Sequence, residues 1–271
     1  MNPSLSQLLQ SVCNPEKASR SIAIDVGAHH GEYSRFLIST GFFRNIVSFE
    51  PNPESYLKLL NEVSPTAVCE YKAINSALSS QSGTLDLYCD EDTATASLLK
   101  YDRRYLSHGT IKKHTVPVST LDEYLIGKPV GDRLQLLKID TQGNDLSVIK
   151  GGERVISSHR PIIQTEFIYI PLYDGQCSPA ELTAALSQLN YEMYSLNNLH
   201  VTPEGRLAFC DAIFIPKELD VPVTQKFSCI DDQISFQSQI DTLTKICAER
   251  LAVIDLLDAE VKRLSKMVEK G

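Results

Sequence analysis

The stretch SIAIDVGAHHGEYSRFLIST, residues Ser21–Thr40, decides the fold. It opens with the β-branched and apolar run of a buried strand and closes, after Gly31, with the amphipathic pattern of a helix. The turn between them carries Gly27, and a glycine there lets a ligand approach the backbone where a side chain would block it. This order predicts the first strand, turn and helix of a parallel α/β sheet with a ligand site at its edge.

The same alternation of apolar and amphipathic runs continues along the chain and predicts a mostly parallel sheet of about seven strands with helices on both faces. The strand candidates are Ser21–Asp25, Asn45–Glu50, Ala67–Ile74, Gly83–Asp90, His114–Thr120, Leu134–Asp140, Pro161–Phe167, Tyr191–Leu196 and Arg206–Pro216. The helix candidates are Glu32–Thr40, Pro53–Val63 and Pro179–Asn190. The last strand candidate is long and could run antiparallel to its neighbours. The polar stretch Glu91–Lys113 is expected to form a loop over the active face.

Length and charge limit the class of protein. The chain has 271 residues, which fits one large α/β domain with an appendage. It is 42% hydrophobic and 22% charged, so it can bury an ordinary core. Lys and Arg number 26 against 34 Asp and Glu, and the net charge of -8 gives no general attraction for nucleic-acid phosphates or an anionic membrane. We therefore expect no nucleic-acid partner.

The cysteines and the apolar runs indicate the compartment. Seven cysteines are spread along the chain without a C-x-x-C pair or a His cluster at zinc-ligand spacing. This pattern favours free thiols in a reducing compartment and no metal site. The amino-terminal residues lack the pattern of a signal peptide, and no later run approaches the roughly 18 apolar residues of a membrane span. We expect a cytoplasmic protein without a membrane span.

The chain divides by pattern into an N-terminal helical lead-in at residues 1–20, an α/β domain at 21–219, and a linker with a helical tail at 220–271. The tail places two sets of residues on the core positions of a heptad repeat. They are Ile240, Cys247, Ile254, Val261 and Val268 in one set and Phe236, Leu243, Arg250, Leu257 and Leu264 in the other. This pattern favours a parallel coiled coil that forms a homodimer, although Arg250 is a misfit. An amphipathic helix packed on its own domain has the same pattern.

Two acids stand at the ends of the first two strand candidates. Asp25 precedes Gly27, where it would repel a dinucleotide pyrophosphate and attract an ammonium group. Glu50 ends the second strand, where a carboxylate can accept hydrogen bonds from both hydroxyls of an adenosine ribose. Asn75–Leu78, which includes Ala77, follows the third strand and is suited to contact adenine. These features predict S-adenosylmethionine as the cofactor; the alternative role for both acids is helix capping.

At this point the sequence resembles the FkbM-type methyltransferase family of S-adenosylmethionine-dependent enzymes. The resemblance spans roughly Ser21 to Pro216 and rests on six motifs that are specific only together. They are DVGAHHGEYS, SFEPNPESYLKL, VSTLDEYL, LLKIDTQGNDLSVIKGG, PIIQTEF and PLYDGQ. The resemblance implies a Rossmann-like class I methyltransferase sheet in the domain 21–219.

The resemblance also implies roles for individual residues. The methionine end of the cofactor is expected to contact Asp25, Gly27, Gly31 and Ser34, and its ribose is expected to contact Glu50. The other cofactor-binding candidates are Asn52, Ala77 and Asp140, of which Asp140 is expected near the reacting methyl group. Two positions depart from the family pattern, because His29 stands where Asn is usual and Gln142 where Glu is usual. The second change removes an acid beside the site.

Methyl transfer to a hydroxyl requires alignment of the acceptor and the removal of one proton. Asp140 and Glu166 end strands that we expect to be adjacent, so they are the candidate base and acceptor-orienting pair. His108 in the polar stretch and His114 directly after it, both assigned to the loop over the active face, are alternative bases. No dense cluster of Asp, Glu or Asn requires a divalent metal.

The sequence therefore predicts an O-methyltransferase that acts on a hydroxyl of a sugar, glycan or secondary metabolite. Oxygen is favoured because there is no Pro-Cys pair for carbon methylation and no Asp- or Asn-Pro-Pro-Tyr segment to hold an exocyclic amine. A catalytically weak domain that assembles partners through the coiled coil is the second hypothesis. A nicotinamide-dependent oxidoreductase is a third, which Asp25 disfavours.

Overall fold

A computed structural model describes residues 5, 8, 9, 21–90, 93–102, 110–126, 133–219 and 221. The coiled coil predicted in the tail, the linker before it and His108 lie outside these residues, so the homodimer and the domain boundaries stay predictions. Within the described part, no helix has the length and apolar character needed to cross a membrane.

Ten strands and six helices alternate along the described chain. The strands are β1 Ser21–Val26, β2 Asn45–Phe49, β3 Glu70–Ile74, β4 Ala77–Leu78, β5 Gly83–Cys89, β6 Lys112–Ser119, β7 Arg133–Ile139, β8 Ile162–Ile168, β9 Tyr191–Val201 and β10 Leu207–Pro216. The helices are α1 Glu32–Thr40, α2 Pro53–Glu62, α3 Leu121–Leu125, α4 Asp145–Lys150, α5 Glu153–His159 and α6 Pro179–Gln188. Helices α3 to α5 were not predicted, because five to seven residues are too few to show a helical period.

Seven strands form one sheet in the order β3-β2-β1-β7-β8-β10-β9. The first five in this order are parallel, and β10 runs antiparallel to both neighbours, as its length had allowed. These observations confirm the predicted methyltransferase-like, mostly parallel α/β sheet. The predicted strands that became β5 and β6 leave this sheet and form a second one in the order β4-β6-β5. In this second sheet β6 pairs antiparallel with β5 and parallel with the short strand β4.

Local sequence explains where the helices begin. Asn52 caps α2 by accepting hydrogen bonds from the backbone of Glu54 and Ser55, and Pro53 occupies the first turn. Ser178 and Glu181 form a reciprocal capping box at α6. Each cap satisfies backbone donors that the first helical turn leaves without partners.

The core lies on both faces of the large sheet. All six residues of β1 are buried, as expected for a central parallel strand covered by helices on both faces. On one face, the buried leucines Leu5, Leu8 and Leu9 belong to the same apolar cluster as Leu37 of α1. A few described residues of the predicted lead-in thus contribute directly to the core.

The sheet order fixes the place of the site. From β1 the chain first builds β2 and β3 on one side and later adds β7 on the other, so strand order reverses between β1 and β7. In open α/β sheets, ligands bind at the carboxyl edge where the order reverses.

Candidate active site

A cavity of about 360 Å³ opens at this edge of the sheet. Its lining comes from the turn after β1, the end of β2, the segment around Ala77, residues between 93 and 98, and the end of β7 with its following turn. Cavities of this size are typical of sites for cofactor-sized ligands. Four sequence-predicted residues line it, namely Gly27, Glu50, Ala77 and Asp140.

The two glycines of the β1–α1 turn have different roles. Gly27 has φ 77, and a Cβ atom there would lie 1.9 Å from the backbone oxygen of Asp140, so only glycine lets this turn lie against the end of β7. A Cβ atom at Gly31 would lie 2.3 Å from a methyl group of Val63, so Gly31 allows α1 to pack against the end of α2. Gly31 is not among the described residues that line the cavity.

Two backbone N–H groups donate hydrogen bonds to the carboxylate of Glu50. Its Oε2 accepts a hydrogen bond of 2.7 Å from the His29 backbone N–H, and its Oε1 accepts one of 2.8 Å from the Asn52 N–H. The residue is only 5% exposed. Burial raises the pKa of Glu50 to about 7, and the two backbone hydrogen bonds oppose that shift. Each carboxylate oxygen retains a lone pair for a ligand hydroxyl.

Some residues near Glu50 line the cavity, and others stabilise the structure around it. Asn52, a predicted cofactor contact, caps α2 and donates a 3.3 Å hydrogen bond to Cys89 Sγ, and it is absent from the described lining. Ala77 lines the cavity with Ser76 and Leu78. His29 adopts φ 49, a left-handed conformation in which both Asn and His are enriched, which accounts for His where the family has Asn.

Asp25 has a different neighbour from the one expected. Its side chain is fully buried, and it does not appear among the described residues that line the cavity. Its Oδ2 accepts a 2.7 Å hydrogen bond from Ser34 Oγ, and its Oδ1 lies 3.1 Å from Lys138 Nζ. Ser34 also contacts Ser48 and is fully buried beneath the cavity. The ammonium group that Asp25 faces is therefore that of a lysine in its own chain.

Lys138 is a site residue that the sequence analysis missed. It stands opposite Asp25 in the β1–β7 register and lines the cavity. Its Nζ donates a 2.9 Å hydrogen bond to the Gly27 carbonyl and lies 3.5 Å from Asp140 Oδ2. Burial alone lowers the pKa of a lysine, but the carboxylates of Asp25 and Asp140 outweigh it and hold the pKa of Lys138 above its usual value. A lysine between the apolar residues Leu137 and Ile139 was the available signal.

The predicted catalytic pair is brought together through a third residue. Strands β7 and β8 are adjacent, and the Gln142 side chain donates hydrogen bonds of 3.0 Å to Asp140 and 3.1 Å to Glu166. Glu166 lies within β8, two residues before its end, and is not part of the described lining. Burial and the carboxylates of Asp140 and Asp145 hold the pKa of Glu166 well above its usual range.

Asp145, at the start of α4, is a second residue that the sequence analysis missed. Its carboxylate accepts hydrogen bonds from the Thr141 backbone and hydroxyl, from Thr165 Oγ1 at 2.8 Å and from the Glu166 backbone at 3.2 Å. Burial raises its pKa, and the hydrogen bonds from Thr141 oppose that shift. Asp145 therefore clamps the turn that carries Asp140 onto the neighbouring strand.

Four residues of the polar stretch between positions 93 and 98 line the cavity, in agreement with the predicted loop over the active face. Thr93 Oγ1 lies 3.0 Å from His29 Nε2, and Ser97 donates a 2.7 Å hydrogen bond to the Gln142 carbonyl. We call residues 93–102 the roof segment, since several of them line the cavity opposite the sheet edge. His114 lies on β6 and lines a separate small cavity.

The β1–α1 turn also brings together three groups that can bind metals. Atoms of His29, His30 and Glu32 lie within 4.8 Å of one another. However, the Arg35 guanidinium is 3.7 Å from Glu32, and a cation there would face the positive end of α1. We therefore assign no metal to this group.

Comparison with known proteins identifies the family. Residues 25–193, more than half of the chain, match the methyltransferase FkbM domain. Among solved structures, the chain is similar to methyltransferase FkbM from Methylobacillus flagellatus KT, with 16% identity and a TM-score of 0.47. That alignment covers 77% of this chain and 50% of the other, so this chain spans half the length of that protein.

Two further structures are similar at lower identity. A SAM-dependent methyltransferase from Anabaena variabilis ATCC 29413 has 10% identity and a TM-score of 0.42, with 78% of this chain and 81% of that chain covered. An rRNA methylase from Streptococcus thermophilus has 11% identity and a TM-score of 0.44, and the alignment covers 80% of this chain and 97% of that chain. No curated protein matches the sequence significantly. The domain match confirms the predicted family, and the chain belongs to the FkbM methyltransferase family.

Proposed function

We propose that this chain binds S-adenosylmethionine in the cavity at the carboxyl edge of β1, β2 and β7 and transfers its methyl group to a hydroxyl of a sugar, glycan or secondary metabolite. The observation that carries the proposal is the position of two carboxylates in one cavity. Glu50 lies at the β2 end and Asp140 at the β7 end, and the backbone of Gly27 follows β1, the strand between them.

The residues present fit this cofactor. The buried carboxylate of Glu50 has an acceptor site on each oxygen for a ribose diol, and Ala77 and Leu78 offer an apolar surface for adenine. The absence of a side chain at Gly27 leaves the backbone open to the ligand. When bound, the cofactor supplies a methyl group on a positively charged sulfur.

Charge in the cavity supports a cationic ligand. The ammonium group of Lys138 faces two carboxylates, Asp25 at 3.1 Å and Asp140 at 3.5 Å, and the carboxylate of Asp211 also lines the cavity. Burial and the nearby carboxylate of Asp140 raise the pKa of Asp211, although the hydrogen bond from Asn198 and the charge of Lys138 oppose that shift. A ligand that carries positive charge would relieve this excess of acids.

Asp140 takes over the role first expected of Asp25 in this proposal. Because Asp25 is engaged by Lys138 and Ser34, the cofactor ammonium group would contact Asp140 at the cavity wall. Asp25 then acts indirectly, since it holds the Lys138 side chain that lies beside both Gly27 and Asp140.

The same geometry favours Asp140 as the proton acceptor for a hydroxyl. Asp140 lines the cavity, whereas Glu166 lies behind Gln142 and its raised pKa keeps it protonated near neutral pH. A protonated carboxyl donates a hydrogen bond and does not remove a proton. Glu166 therefore supports Asp140 in this scheme.

The acceptor class follows from charge. The net charge of -8 and the acids in the cavity disfavour a polyphosphate acceptor, which leaves neutral hydroxyl compounds as the preferred class.

Four described cysteines, Cys69, Cys89, Cys177 and Cys210, are free thiols, which supports the predicted cytoplasmic location. The homodimer through the tail at 220–271 remains part of the proposal. If deletion of the tail breaks the dimer while cofactor binding and turnover persist, the tail is an assembly device and the domain is an enzyme.

The decisive experiment incubates the full chain with methyl-labelled S-adenosylmethionine and a panel of sugars, glycans and hydroxylated metabolites, with RNA as a separate arm. Mass spectrometry is expected to find one added methyl group on a hydroxyl compound. A methyl group on RNA would overturn the acceptor class. Failure of calorimetry to detect S-adenosylmethionine binding to the native chain would overturn the cofactor proposal itself.

A further inference from the structure

Gln142 has an unusual position and an unusual number of partners. It lies in the turn between β7 and α4 with φ 54, a left-handed conformation that residues with a side chain rarely adopt. The family resemblance places an acid at this position, and the methyl-transfer scheme assigns Gln142 no step. Its contacts nevertheless connect three parts of the site.

The side-chain amide uses all of its hydrogen-bonding groups except one lone pair. Nε2 donates to Asp140 Oδ1 at 3.0 Å and to Glu166 Oε2 at 3.1 Å, which accounts for both of its hydrogens. Oε1 accepts from the Tyr173 hydroxyl at 2.7 Å. A single neutral group thus connects two carboxylates to a tyrosine that is 3% exposed.

Tyr173 extends these contacts to the roof segment. Its hydroxyl is also within hydrogen-bond distance of the Thr95 carbonyl, at 2.9 Å, and its backbone pairs with Tyr101. Ser97 Oγ adds a 2.7 Å hydrogen bond to the Gln142 carbonyl. The main chain and the side chain of Gln142 are therefore both attached to residues 93–102.

The charges around the two carboxylates explain why a neutral amide belongs here. The charged and titratable groups that act on this pair are Lys138 from β7, Asp145 from α4, Asp211 from β10, and Tyr173. A carboxylate at position 142 would add another negative charge about 3 Å from both acids, and it would have no hydrogen to donate to either.

We propose that Gln142 is a positioning residue that holds Asp140 and Glu166 as a hydrogen-bonded pair and connects this pair through Tyr173 to the roof segment. Asp140 is thereby fixed with Oδ1 on Gln142 and Oδ2 toward Lys138. The consequence for methyl transfer rests on the proposed function, because Asp140 is its proton acceptor. The contacts themselves are independent of any ligand.

The first test needs neither cofactor nor acceptor. Carboxyl titrations of Asp140 and Glu166 are measured by NMR in the full chain for the native protein, Gln142→Glu, Gln142→Met and the exposed control Gln188→Glu. We expect Gln142→Glu to move at least one of the two midpoints upward by about one pH unit or more, because like charges share a proton. Gln142→Met is expected to raise both by less, and the control to leave both unchanged. Unchanged midpoints in both Gln142 variants would overturn the proposal.

Tyr173→Phe tests the connection to the roof segment and keeps the proposal falsifiable if a Gln142 variant fails to fold. It removes only the hydroxyl that contacts Gln142 and Thr95. We expect faster amide hydrogen exchange at Ser97, whose N–H donates to Tyr88, together with a shifted Asp140 or Glu166 titration. Native exchange and native titrations in this variant would show that Tyr173 does not connect the two regions.

The last measurement separates this proposal from the proposed function. Affinity for S-adenosylmethionine is measured against pH in the native chain and in Gln142→Glu, with S-adenosylhomocysteine, which keeps the ammonium group and lacks the sulfonium charge, as the second ligand. The midpoint for S-adenosylmethionine is expected to move upward in the variant by about the one unit seen in the carboxyl titration. An unmoved midpoint despite a shifted titration would limit Gln142 to a structural role. If the native chain binds neither ligand, the proposed function fails, and the carboxyl titrations alone still decide whether Gln142 pairs the two acids.

Discussion

The two acids at the ends of β1 and β2 have similar sequence contexts and very different surroundings. Asp25 is completely buried against Lys138 at 3.1 Å, whereas Glu50 lines the cavity and is held by two backbone N–H groups. The ion pair neutralises the first acid and makes it part of the framework. The second acid keeps unused acceptor sites and lines the cavity. The comparison teaches that the neighbouring strand, more than the acid itself, decides which carboxylate is available to a cofactor.

Removal of the Lys138 ammonium group, which pairs with Asp25 and not with Glu50, should have the largest effect on the free energy of unfolding. Lys138→Met leaves the Asp25 carboxylate buried without its cation, and we expect the free energy of unfolding to fall by about 3 to 5 kcal/mol. Urea unfolding measures this loss, with the exposed Lys72→Met as the control on β3. The double variant Asp25→Asn with Lys138→Met should recover most of the stability, and a double variant as unstable as the single one would contradict the ion-pair explanation.

The raised pKa of Glu50 should appear as a pH dependence of stability. Its folded-state pKa of about 7 lies above the unfolded value, so its contribution is fully present below about pH 4.3 and is lost as the pH rises through 7. We expect this to cost about 3 kcal/mol between about pH 4 and pH 8 in the native chain. Between about pH 4 and pH 8, the free energy of unfolding of Glu50→Gln, measured in urea, should therefore fall by about 3 kcal/mol less than that of the native chain.

The exposed Glu54→Gln, four residues along the chain, is the matched control for the pH experiment and should retain the native pH dependence. Equal slopes for Glu50→Gln and the native chain would mean that Glu50 titrates normally in the folded protein.

Cofactor affinity should distinguish the ligand-facing acid directly. Glu50→Gln should weaken binding of S-adenosylmethionine by about 1 to 3 kcal/mol, roughly five- to 150-fold, because one ribose hydroxyl loses its acceptor. Isothermal calorimetry at one pH checks this, and Glu54→Gln should bind like the native chain. Native affinity in Glu50→Gln would remove Glu50 from the ribose site.

The smallest effect should come from Asn52, which the motifs place with the cofactor and the structure places at a helix cap. Asn52→Ala should lower the free energy of unfolding by about 1 kcal/mol, since it removes the side-chain cap of α2. Its backbone N–H to Glu50 remains, so cofactor affinity should stay near the native value. A loss of affinity as large as that in Glu50→Gln, measured by the same calorimetry, would assign Asn52 to the ligand.

Sequence patterns predicted the strands and turns of the site well where the pattern is local. Gly27 was recognised from its place in a strand–turn–helix unit, and the structure gives it φ 77 and a contact that excludes a side chain. The separation of β5 and β6 into a second sheet was not predicted, because strand pairing over long separations leaves no mark in the period of a single strand.

The sequence alone determined the strands of the large sheet, the three longer helices, the glycine turn and the acids at the carboxyl edge, because these depend on periodicity and on residues close together in the chain. Only the tertiary structure decided that Lys138, 113 residues after Asp25, lies opposite it across β1 and β7. It also decided that Gln142 joins Asp140 to Glu166 and the roof segment. Charge compensation and hydrogen bonding act over a few ångströms of space, and the fold sets those distances independently of separation along the chain.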